Sequence, residues 1–461
     1  MPPFNLVQWL PTAAHHFLFV VIALLIYVVN ARARRERRAP AAAIAWVMGL
    51  VLLPYLMLPL YLLFGQRKLS AAPVPQPVGP HDETTHWASS LLTSFGLDEP
   101  TPAIVRFHRD GAQAREALWK LFDAAQDHLD VCTFLIGKDA FGHEALARLA
   151  QRARAGVHVR LLHDGLFALS APRRGLRELV DAGAEVCVFR PLFTPGRIGP
   201  RNLRNHRKYA IADGRLMWAG GRNLAAEYFT GDTRKPCWTD LSFELAGPVV
   251  TAAARQFTQD WAAASGRVPV RMPDPAKAVL ESPGTPVQFV PSGPDQGEDT
   301  AQSLLVTACY RAQRRLLAVT PYFVPDSSLQ QALHLAARRG VQVTLVIPRV
   351  SNHRLADFAR GRPLRELANA GVHVRLLPAM SHAKVVVVDD ELAISGSINL
   401  DARSLLLNYE FAVAFYGEKE IAWLADWATE QAIHCEPFDA RPPGLLRDIA
   451  EGALLAVAFQ I

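Results

Sequence analysis

The feature of this sequence that most constrains its fold is a pattern of polar residues that occurs twice, 176 residues apart. Each copy reads His-x-Lys-x4-Asp and is followed, after six further residues, by Gly-x-x-Asn. The matching residues are His206, Lys208, Asp213, Gly220 and Asn223 in the first copy and His382, Lys384, Asp389, Gly396 and Asn399 in the second. One such motif is weak evidence, but five matches at identical spacing predict two related half-domains that share one active site.

The residues around each lysine indicate how the motif is presented. Side chains two positions apart point to the same face of an extended segment, so the His and Lys of each copy lie side by side. The apolar runs Tyr209 to Ala212 and Val385 to Val388 are typical of buried strands of about five residues. The glycine that follows lets the backbone approach closely, and the asparagine adds an amide donor. We therefore expect two His, two Lys and two Asn side chains around one point.

This set of side chains suits an anionic, tetrahedral phosphoryl group. Lysine and asparagine neutralise and orient its non-bridging oxygens, and the arrangement requires no metal and no cofactor. One histidine attacks phosphorus and forms a phospho-histidine, while the other protonates the leaving alcohol and later deprotonates the incoming alcohol or water. The alternative, in which each histidine is a core residue and each lysine a surface charge, fits a single motif but not a matched pair.

The doubled motif resembles the signature of the phospholipase D superfamily, in which H-x-K-x4-D is followed by G-S-x-N. The second copy matches in full through Gly396-Ser397-Ile398-Asn399, whereas the first has Gly221 where the superfamily most often has Ser. That difference removes one hydroxyl donor to phosphate, and a backbone N–H can serve instead. The resemblance implies an α/β fold in which two pseudo-symmetric half-domains share one active site, with His206 as nucleophile and His382 as acid and base.

The resemblance also implies roles for other residues. In the superfamily an acid further along the chain orients each histidine, and the candidates here are Asp240 and Glu410; the alternative is that both are ordinary surface acids. The Asp of each motif usually has a structural role in the superfamily, yet both are kept in the predicted catalytic set. That set is His206, Lys208, Asp213, His382, Lys384 and Asp389, and the predicted phosphate-binding set is Asn223, Asn399 and Ser397.

Two apolar runs near the N-terminus predict a membrane hairpin. The first extends from about Leu10 to Val29, and the second, Ala41 to Phe64, carries no charge across 24 residues. About 20 such residues cross ~30 Å of hydrocarbon, so we expect two transmembrane helices, the second kinked at Pro54 and Pro59. The alternative is a pair of buried core helices. No basic segment precedes the first run, which distinguishes it from a cleaved secretory signal.

The segment between the two runs predicts the orientation in the membrane. Residues 32–38 hold five arginines and one glutamate. The positive-inside rule places this loop in the cytoplasm, and the rest of the chain then faces the outer side of a bacterial inner membrane. Arg67 and Lys68 favour the opposite orientation.

The distribution of charge argues against nucleic acid as a partner. The net charge is +6, and residues 1–68, with seven basic residues and one glutamate, account for all of it. The remaining basic and acidic residues cancel, whereas a nuclease is expected to carry a basic groove over its catalytic domain. The local cluster Arg201, Arg204 and Arg207 either holds an anionic headgroup or belongs to a solvated loop. The five cysteines lack metal-ligand spacing, and no metal site is predicted.

The remainder of the chain alternates strand and helix patterns, which indicates α/β layering. We expect a two-helix transmembrane hairpin over residues 1–68, a linker over 69–100, a first half over 101–270, a second half over 271–440 and a C-terminal amphipathic tail over 441–461. The tail either lies on the membrane surface or packs against the body.

Two further segments narrow the resemblance to one branch of the superfamily. Thr320 to Asp326 and Asn205 to Lys208, together with the hairpin, closely resemble bacterial cardiolipin synthases. This resemblance implies transfer of a phosphatidyl group from one phosphatidylglycerol to another through a phospho-histidine, giving cardiolipin and glycerol, with the membrane as partner and phosphatidylethanolamine as an alternative donor. Tyr322 and Phe323 then border a lipid entrance or pack in the core.

Two alternatives stay open. A hydrolase of the same superfamily, either a phospholipase or a membrane-anchored nuclease, uses the same residues, because transfer and hydrolysis differ in the access of water. A catalytically inactive membrane scaffold is disfavoured, because all six His, Lys and Asn residues of the motifs are present.

Overall fold

The computed structural model describes residues 13–33, 40–65, 67–69, 86–191, 201–231, 236–267 and 284–455. Helices and strands alternate along these residues. The helices are α1 (Ala13–Ala33), α2 (Pro40–Leu52), α3 (Pro54–Phe64), α4 (Trp87–Ser94), α5 (Gly111–Ala124), α6 (Ala140–Arg154), α7 (Arg173–Asp181), α8 (Val249–Ser265), α9 (Thr300–Arg311), α10 (Ser327–Arg338), α11 (Arg354–Ala359), α12 (Gly361–Ala370), α13 (Ala402–Leu406), α14 (Glu418–Ile433) and α15 (Leu445–Leu455). The strands are β1 (Thr101–His108), β2 (His128–Thr133), β3 (His158–Asp164), β4 (Glu185–Phe189), β5 (Tyr209–Ala212), β6 (Leu216–Gly220), β7 (Ser242–Ala246), β8 (Thr285–Ser292), β9 (Arg315–Val319), β10 (Phe323–Val324), β11 (Gln342–Pro348), β12 (His373–Leu377), β13 (Val385–Val388), β14 (Leu392–Gly396), β15 (Leu400–Asp401), β16 (Glu410–Phe415) and β17 (Glu436–Pro437).

Fifteen of the described strands form one mixed sheet that repeats its own order. From the centre outward, one half reads β1-β7-β6-β5-β2-β3-β4 and the other reads β8-β16-β14-β13-β9-β11-β12-β17. The halves join where β1 pairs antiparallel with β8, with Thr101 opposite Val287. Each strand of the first half therefore has an equivalent in the second, and an antiparallel central pair is what a twofold relation requires. The prediction of an α/β fold with duplicated half-domains is confirmed.

The apolar runs that follow the two motif lysines form β5 and β13, the strands in the interior of each half-sheet. β5 lies between β6 and β2, and β13 lies between β14 and β9. All residues of both strands are buried. A strand covered on both faces reads as a continuous apolar run, which is the pattern seen in the sequence.

A central core joins the inner faces of the two halves. It contains side chains of β5, β13, β16, α8 and α14, and Tyr209 of the first half packs against Phe411 of the second at a ring distance of 5.3 Å. The outer face of the first half packs against α5, α6 and α7, and that of the second against α9, α10 and α12. This layering places the segments that precede β5 and β13 between the halves.

The N-terminal helices differ from the predicted hairpin. Among the described residues, α1 is the one helix long and apolar enough to cross a membrane. The second run is not a single helix, because α2 ends before Leu53 and α3 begins at Pro54. Pro54 lacks the backbone N–H that would be needed to continue α2. Pro59 lies inside α3 without ending it. The arginine-rich loop, apart from Arg32, lies outside the described residues.

The end of α3 contacts the segment that leads to the first motif. Leu63 O accepts a hydrogen bond from Arg201 N at 2.9 Å, and Phe64 O accepts one from Asn202 Nδ2 at 3.1 Å. Lys68 Nζ forms an ion pair of 2.8 Å with Asp299. The apolar helices are thus attached to the body close to His206.

The predicted linker contains an ordered helix, and the predicted tail packs against the body, which is one of the two placements expected for it. The linker predicted over 69–100 contains α4, whose Ala88 and Leu92 are buried in the outer core of the second half. The predicted tail contains α15, which packs on α12 through Arg365 and the buried Glu451 at 2.6 Å. Each is therefore part of the folded body.

Candidate active site

The backbone of each motif segment forms hydrogen bonds with a segment of the other half, which brings the two motifs together. His206 N donates to Tyr409 O at 2.8 Å, and His382 N donates to Thr239 O at 2.7 Å. Short β-bridges, Asn205 with Tyr409 and Thr239 with Ser381, fix this crossed arrangement. Each histidine therefore sits beside the segment that carries the other half's predicted orienting acid.

Both histidines contact those acids through Nδ1. His206 Nδ1 lies 2.9 Å from Glu410 Oε1, and His382 Nδ1 lies 3.1 Å from Asp240 Oδ2. A carboxylate at Nδ1 favours the tautomer with the proton on that atom. The lone pair of each neutral ring is then on Nε2, the atom available for chemistry.

Burial keeps the two imidazoles neutral. It lowers the pKa of His206 to about 4, with Glu410 offsetting only part of the effect. It lowers the pKa of His382 to about 3, and the neighbouring Lys384 adds to that decrease. At neutral pH each ring can therefore act as a nucleophile or a base.

The two lysines are buried next to the histidines of their own motifs. Lys208 Nζ donates to His206 O at 2.6 Å, and Lys384 Nζ lies 2.8 Å from His382 Nδ1 and 3.2 Å from Nε2. Burial lowers the pKa of Lys208 well below its usual value and that of Lys384 to about 8. Each lysine also lowers the pKa of the other half's histidine, so the four groups share one electrostatic environment.

The two acids remain charged although they are buried. Burial raises the pKa of Glu410, but His206, Lys208 and Ser397 together lower it below the usual value. Burial likewise raises the pKa of Asp240, and His382, Lys384 and Arg222 outweigh it. A buried carboxylate is tolerated because each is paired with a ring N–H and a nearby cation.

Ser397, which was predicted to bind phosphate, contacts the orienting acid in this structure. Its hydroxyl donates to Glu410 Oε2 and accepts a hydrogen bond from Phe411 N at 3.0 Å. Ser397 therefore supports the acid that orients His206. The backbone N–H of Gly221 does not take the place of a serine hydroxyl at phosphate, because it donates to Leu241 O at 3.2 Å.

Asp240 occupies the place that a serine side chain at position 221 would need. A Cβ atom on Gly221 would overlap Asp240 Oδ1 and stand 2.8 Å from the main-chain oxygen of His382. Oδ1 accepts a hydrogen bond from Leu241 N at 2.7 Å, as Ser397 Oγ accepts one from Phe411 N in the other half. The pair Gly221 and Asp240 is thus the counterpart of the pair Ser397 and Glu410.

The two motif asparagines are held by hydroxyl groups. Asn223 Nδ2 donates to Tyr228 Oη at 2.8 Å, and Asn399 Nδ2 donates to Ser404 Oγ at 3.1 Å. Both side chains are buried, and their Oδ1 atoms have no hydrogen-bond partner among the described residues. These contacts fix the orientation of both amides.

The catalytic role predicted for the two motif aspartates is corrected by their contacts. Asp213 accepts hydrogen bonds from the backbone N–H groups of residues 126, 127 and 128, and Asp389 from those of 313, 314 and 315. Asp213 comes directly after β5 and Asp389 directly after β13, at the opposite end of each strand from the motif His and Lys. Both have positive φ angles, 51° and 49°, at the turn to the next strand. Their role is to join that turn to the start of β2 or β9.

Two arginines of the cluster beside His206, Arg204 and Arg207, are buried and bonded within the protein rather than placed in a solvated loop. Arg207 is buried, paired with Asp260 and Asp295, and donates to Glu410 O at 2.9 Å. Arg204 is also buried and donates to Arg190 O at 2.8 Å. Arg207 therefore helps to hold Glu410, and its burial and its two ion pairs keep it from an anionic headgroup.

Aromatic residues surround the histidines, and of these only Tyr322 was expected from the sequence to lie near the site. Phe134 packs edge-on to His206 at 4.8 Å, and Tyr228 packs edge-on to His382 at 5.0 Å. Trp238 and Tyr322 lie 6.0 and 6.3 Å from the His382 ring. Trp238 stands two residues before Asp240, and Phe134 directly follows β2, which are the sequence signals that could have identified them.

Two family profiles match the chain. The profile described as "Cardiolipin synthase, PLD-like domain" matches residues 118–261 and 305–431. The profile described as "Phospholipase D-nuclease N-terminal" matches residues 19–66. Together the two profiles include both motif copies, part of the first apolar run and all of the second.

Individual proteins are similar along most of their length. Cardiolipin synthase A of Pseudomonas aeruginosa is 33% identical over 453 residues, 92% of this chain and 91% of the relative. Cardiolipin synthase 1 of Bacillus cereus is 29% identical, over 84% of this chain and 82% of the relative. The crystal structure of phosphatidylserine synthase from Haemophilus influenzae Rd KW20 covers 81% of this chain and 99% of its own, with a TM-score of 0.64 and 16% identity. This last likeness concerns the fold alone.

We predict that Gly221→Ser lowers kcat by about 100-fold, because the new side chain displaces the Asp240 carboxylate from His382. The double variant Gly221→Ser, Asp240→Glu is expected to recover much of this loss, since it rebuilds the Ser397 and Glu410 arrangement. Steady-state kinetics of both single variants and the double variant measure the coupling. Purely additive losses would show that the two positions are independent.

Proposed function

The chain belongs to the cardiolipin synthase family of phospholipase D-like enzymes, and we propose that it transfers a phosphatidyl group from one phosphatidylglycerol to another and releases glycerol. It is a phosphatidyltransferase of the phospholipase D superfamily. The observation that carries the proposed mechanism is the pair of buried His and carboxylate contacts made across the two halves.

In the first step, His206 Nε2 attacks phosphorus of the donor lipid. A nitrogen–phosphorus bond forms, and the bond from phosphorus to the oxygen of the headgroup glycerol breaks. His382, protonated on both ring nitrogens in the lipid complex, gives its Nε2 proton to that oxygen and becomes neutral. Attack makes the His206 ring cationic, and Glu410, whose two oxygens lie 2.9 and 3.1 Å from Nδ1, stabilises that charge.

In the second step, a hydroxyl of another phosphatidylglycerol attacks the same phosphorus. His382 takes the hydroxyl proton, the bond between phosphorus and His206 breaks, and the neutral ring is restored. Lys384 lies against His382, and its charge favours loss of a proton from the protonated His382 ring. His382 is therefore suited to protonate glycerol in the first step. This difference between the two ring environments supports His206 as nucleophile and His382 as acid and base.

Lys208, Lys384, Asn223 and Asn399 bind and orient the non-bridging oxygens in this proposal. The two buried ammonium groups attract a phosphodiester anion, and the anion in turn offsets their effect on His382, so that its protonated form becomes accessible in the complex. The aromatic rings around both histidines restrict water, which favours a lipid alcohol as acceptor.

The proposed activity predicts the products formed from phosphatidylglycerol alone. In detergent–phosphatidylglycerol micelles with EDTA, the purified protein is expected to form cardiolipin and free glycerol in equal amounts. Lipid chromatography and a glycerol assay measure both. Formation of phosphatidic acid in place of cardiolipin would identify a hydrolase. If cardiolipin forms only when phosphatidylethanolamine is added, phosphatidylethanolamine is the donor lipid.

The matched controls for this assay are histidine variants. His206→Ala and His382→Ala are each expected to lower kcat by roughly 100-fold to 10,000-fold, whereas His143→Ala, at an exposed position of α6, leaves it unchanged. Wild-type turnover in either of the first two variants would overturn the shared site.

The buried Lys384 predicts a loss of activity at alkaline pH. Because its pKa is lowered to about 8, the side chain is charged below that pH and becomes neutral as the pH rises through it. We expect kcat/KM to fall above about pH 8, and kcat to fall only at a higher pH because bound phosphate stabilises the ammonium. Initial rates of glycerol release against pH test this. A decline that begins only near the ordinary lysine value of 10.5 would contradict it.

We also propose that α1 and the pair α2 and α3 both cross a bacterial inner membrane, with the body on its outer side. The arginines between the two apolar runs support this orientation. Trypsin added to intact spheroplasts should then digest the body. Protection until the membrane is lysed would place the body in the cytoplasm.

A further inference from the structure

Two loops expose apolar side chains at equivalent places in the two halves. The loop after β3 exposes Leu166 and Leu169, and the loop after β11 together with the first turn of α11 exposes Val350 and Leu355, with exposed fractions between 41% and 67%. Leu166 and Val350 each lie two residues beyond the end of their strand. We call these four residues the apolar rim. Paired exposed apolar residues of this kind are typical of an interaction surface.

The first part of the apolar rim is connected to His206 by aromatic contacts. Phe167, which lies between Leu166 and Leu169, packs edge-on to Phe134 at 5.1 Å. Phe134 in turn packs edge-on to His206 at 4.8 Å. An apolar path therefore leads from the exposed leucines to the first histidine.

The second part is connected to His382 in the same way. Tyr322 lies 6.3 Å from the His382 ring and 6.1 Å from that of His353, in the loop that bears Val350 and Leu355. Its hydroxyl donates to Asn352 Oδ1 at 2.6 Å, within the same loop. Both halves thus lead from an exposed apolar pair, through an aromatic ring, to a histidine.

The charges near the apolar rim suit an anionic surface. Residues 165–174 and 349–355 contain two arginines each and no acidic residue. Arg173, Arg174, Arg349 and Arg354 are all exposed, and two of them also form surface ion pairs, Arg174 with Glu178 and Arg349 with Glu436. Basic side chains that flank an apolar patch are attracted to the headgroups of anionic lipids.

The helix α15 extends the apolar rim on the side of the second half. Its residues Leu445, Leu446 and Ile449 are 75%, 83% and 60% exposed, while its opposite face is held by the ion pair of Glu451 with Arg365. Near its end, Leu454 and Leu455 pack in the small cluster that includes Tyr322. An amphipathic helix anchored by its polar face presents its apolar face outward.

The apolar helices enter the body close to this surface. The end of α3 bonds to Arg201 and Asn202, a few residues before His206. A chain that leaves a bilayer at Phe64 therefore brings the entrance of the site to the level of the lipid headgroups.

We propose that the apolar rim and the outward face of α15 dock into an anionic phospholipid bilayer, so that a lipid headgroup reaches the histidines between the two loops without leaving the membrane. The proposal rests on the proposed function, because that function makes a bilayer lipid the substrate. The apolar side chains insert below the headgroups, and the arginines remain at the level of the phosphates.

A comparison of two substrates tests the docking surface. Leu169→Asp and Leu355→Asp, in full-length protein in phosphatidylglycerol nanodiscs, are expected to lower turnover of bilayer lipid by about tenfold or more. Turnover of dissolved dihexanoyl phosphatidylglycerol should not change. Ile433→Asp, at a position of α14 that is 70% exposed, is the control and should affect neither substrate. Unchanged activity on the bilayer, or equal losses on both substrates, would overturn the proposal.

Insertion can be measured independently of activity. The fluorescence that Leu169→Trp adds to the wild-type signal should be quenched when brominated lipids replace ordinary ones in the nanodisc, and that added by Ile433→Trp should not be. Quenching without cardiolipin formation would leave the docking surface standing and reject the proposed function. Cardiolipin formation without quenching would support the proposed function and reject the docking surface.

Discussion

The structure depends on the exchange of acids between the two halves. The backbone of each motif segment pairs with a segment of the other half, so that Glu410 reaches His206 and Asp240 reaches His382. Neither half holds a complete pair by itself. The central core, in which Tyr209 packs against Phe411, therefore determines the active-site geometry as well as stability. Joining two copies through β1 and β8 assembles one site from two equivalent fragments.

Burial explains the electrostatics of that site. A low-dielectric environment disfavours imidazolium and ammonium, which lowers the pKa values of both histidines and both lysines. The two carboxylates stay charged because ring N–H groups and lysines surround them. Arg207, paired with Asp260, supports the backbone at Glu410. The result is a buried space in which the lysine side chains can bind a phosphodiester, and an apolar approach to it suits the lipid that carries one.

The two halves repeat the same motif, yet their histidines have different surroundings. Glu410 is longer than Asp240 and is supported by Ser397, whereas Asp240 fills the space beside Gly221 with its own carboxylate. Lys384 contacts both the ring and the main-chain oxygen of His382, whereas Lys208 donates to the main-chain oxygen of His206. A covalent mechanism with two steps needs one nucleophile and one acid, and these local differences separate the roles that the repeat alone leaves equivalent.

The doubled α/β fold, the strands β5 and β13 and the nearness of His206 and His382 could be predicted from the amino-acid sequence, because apolar runs and fixed polar spacing are local properties of the chain. Tertiary structure alone decided which acid faces which histidine, because that depends on contacts more than 140 residues apart. It also decided that Ser397 serves Glu410, that Asp213 and Asp389 bind backbone amides, and that Arg207 is buried against Asp260. A polar residue's type reveals what it can bind, and only packing reveals which partner lies within reach.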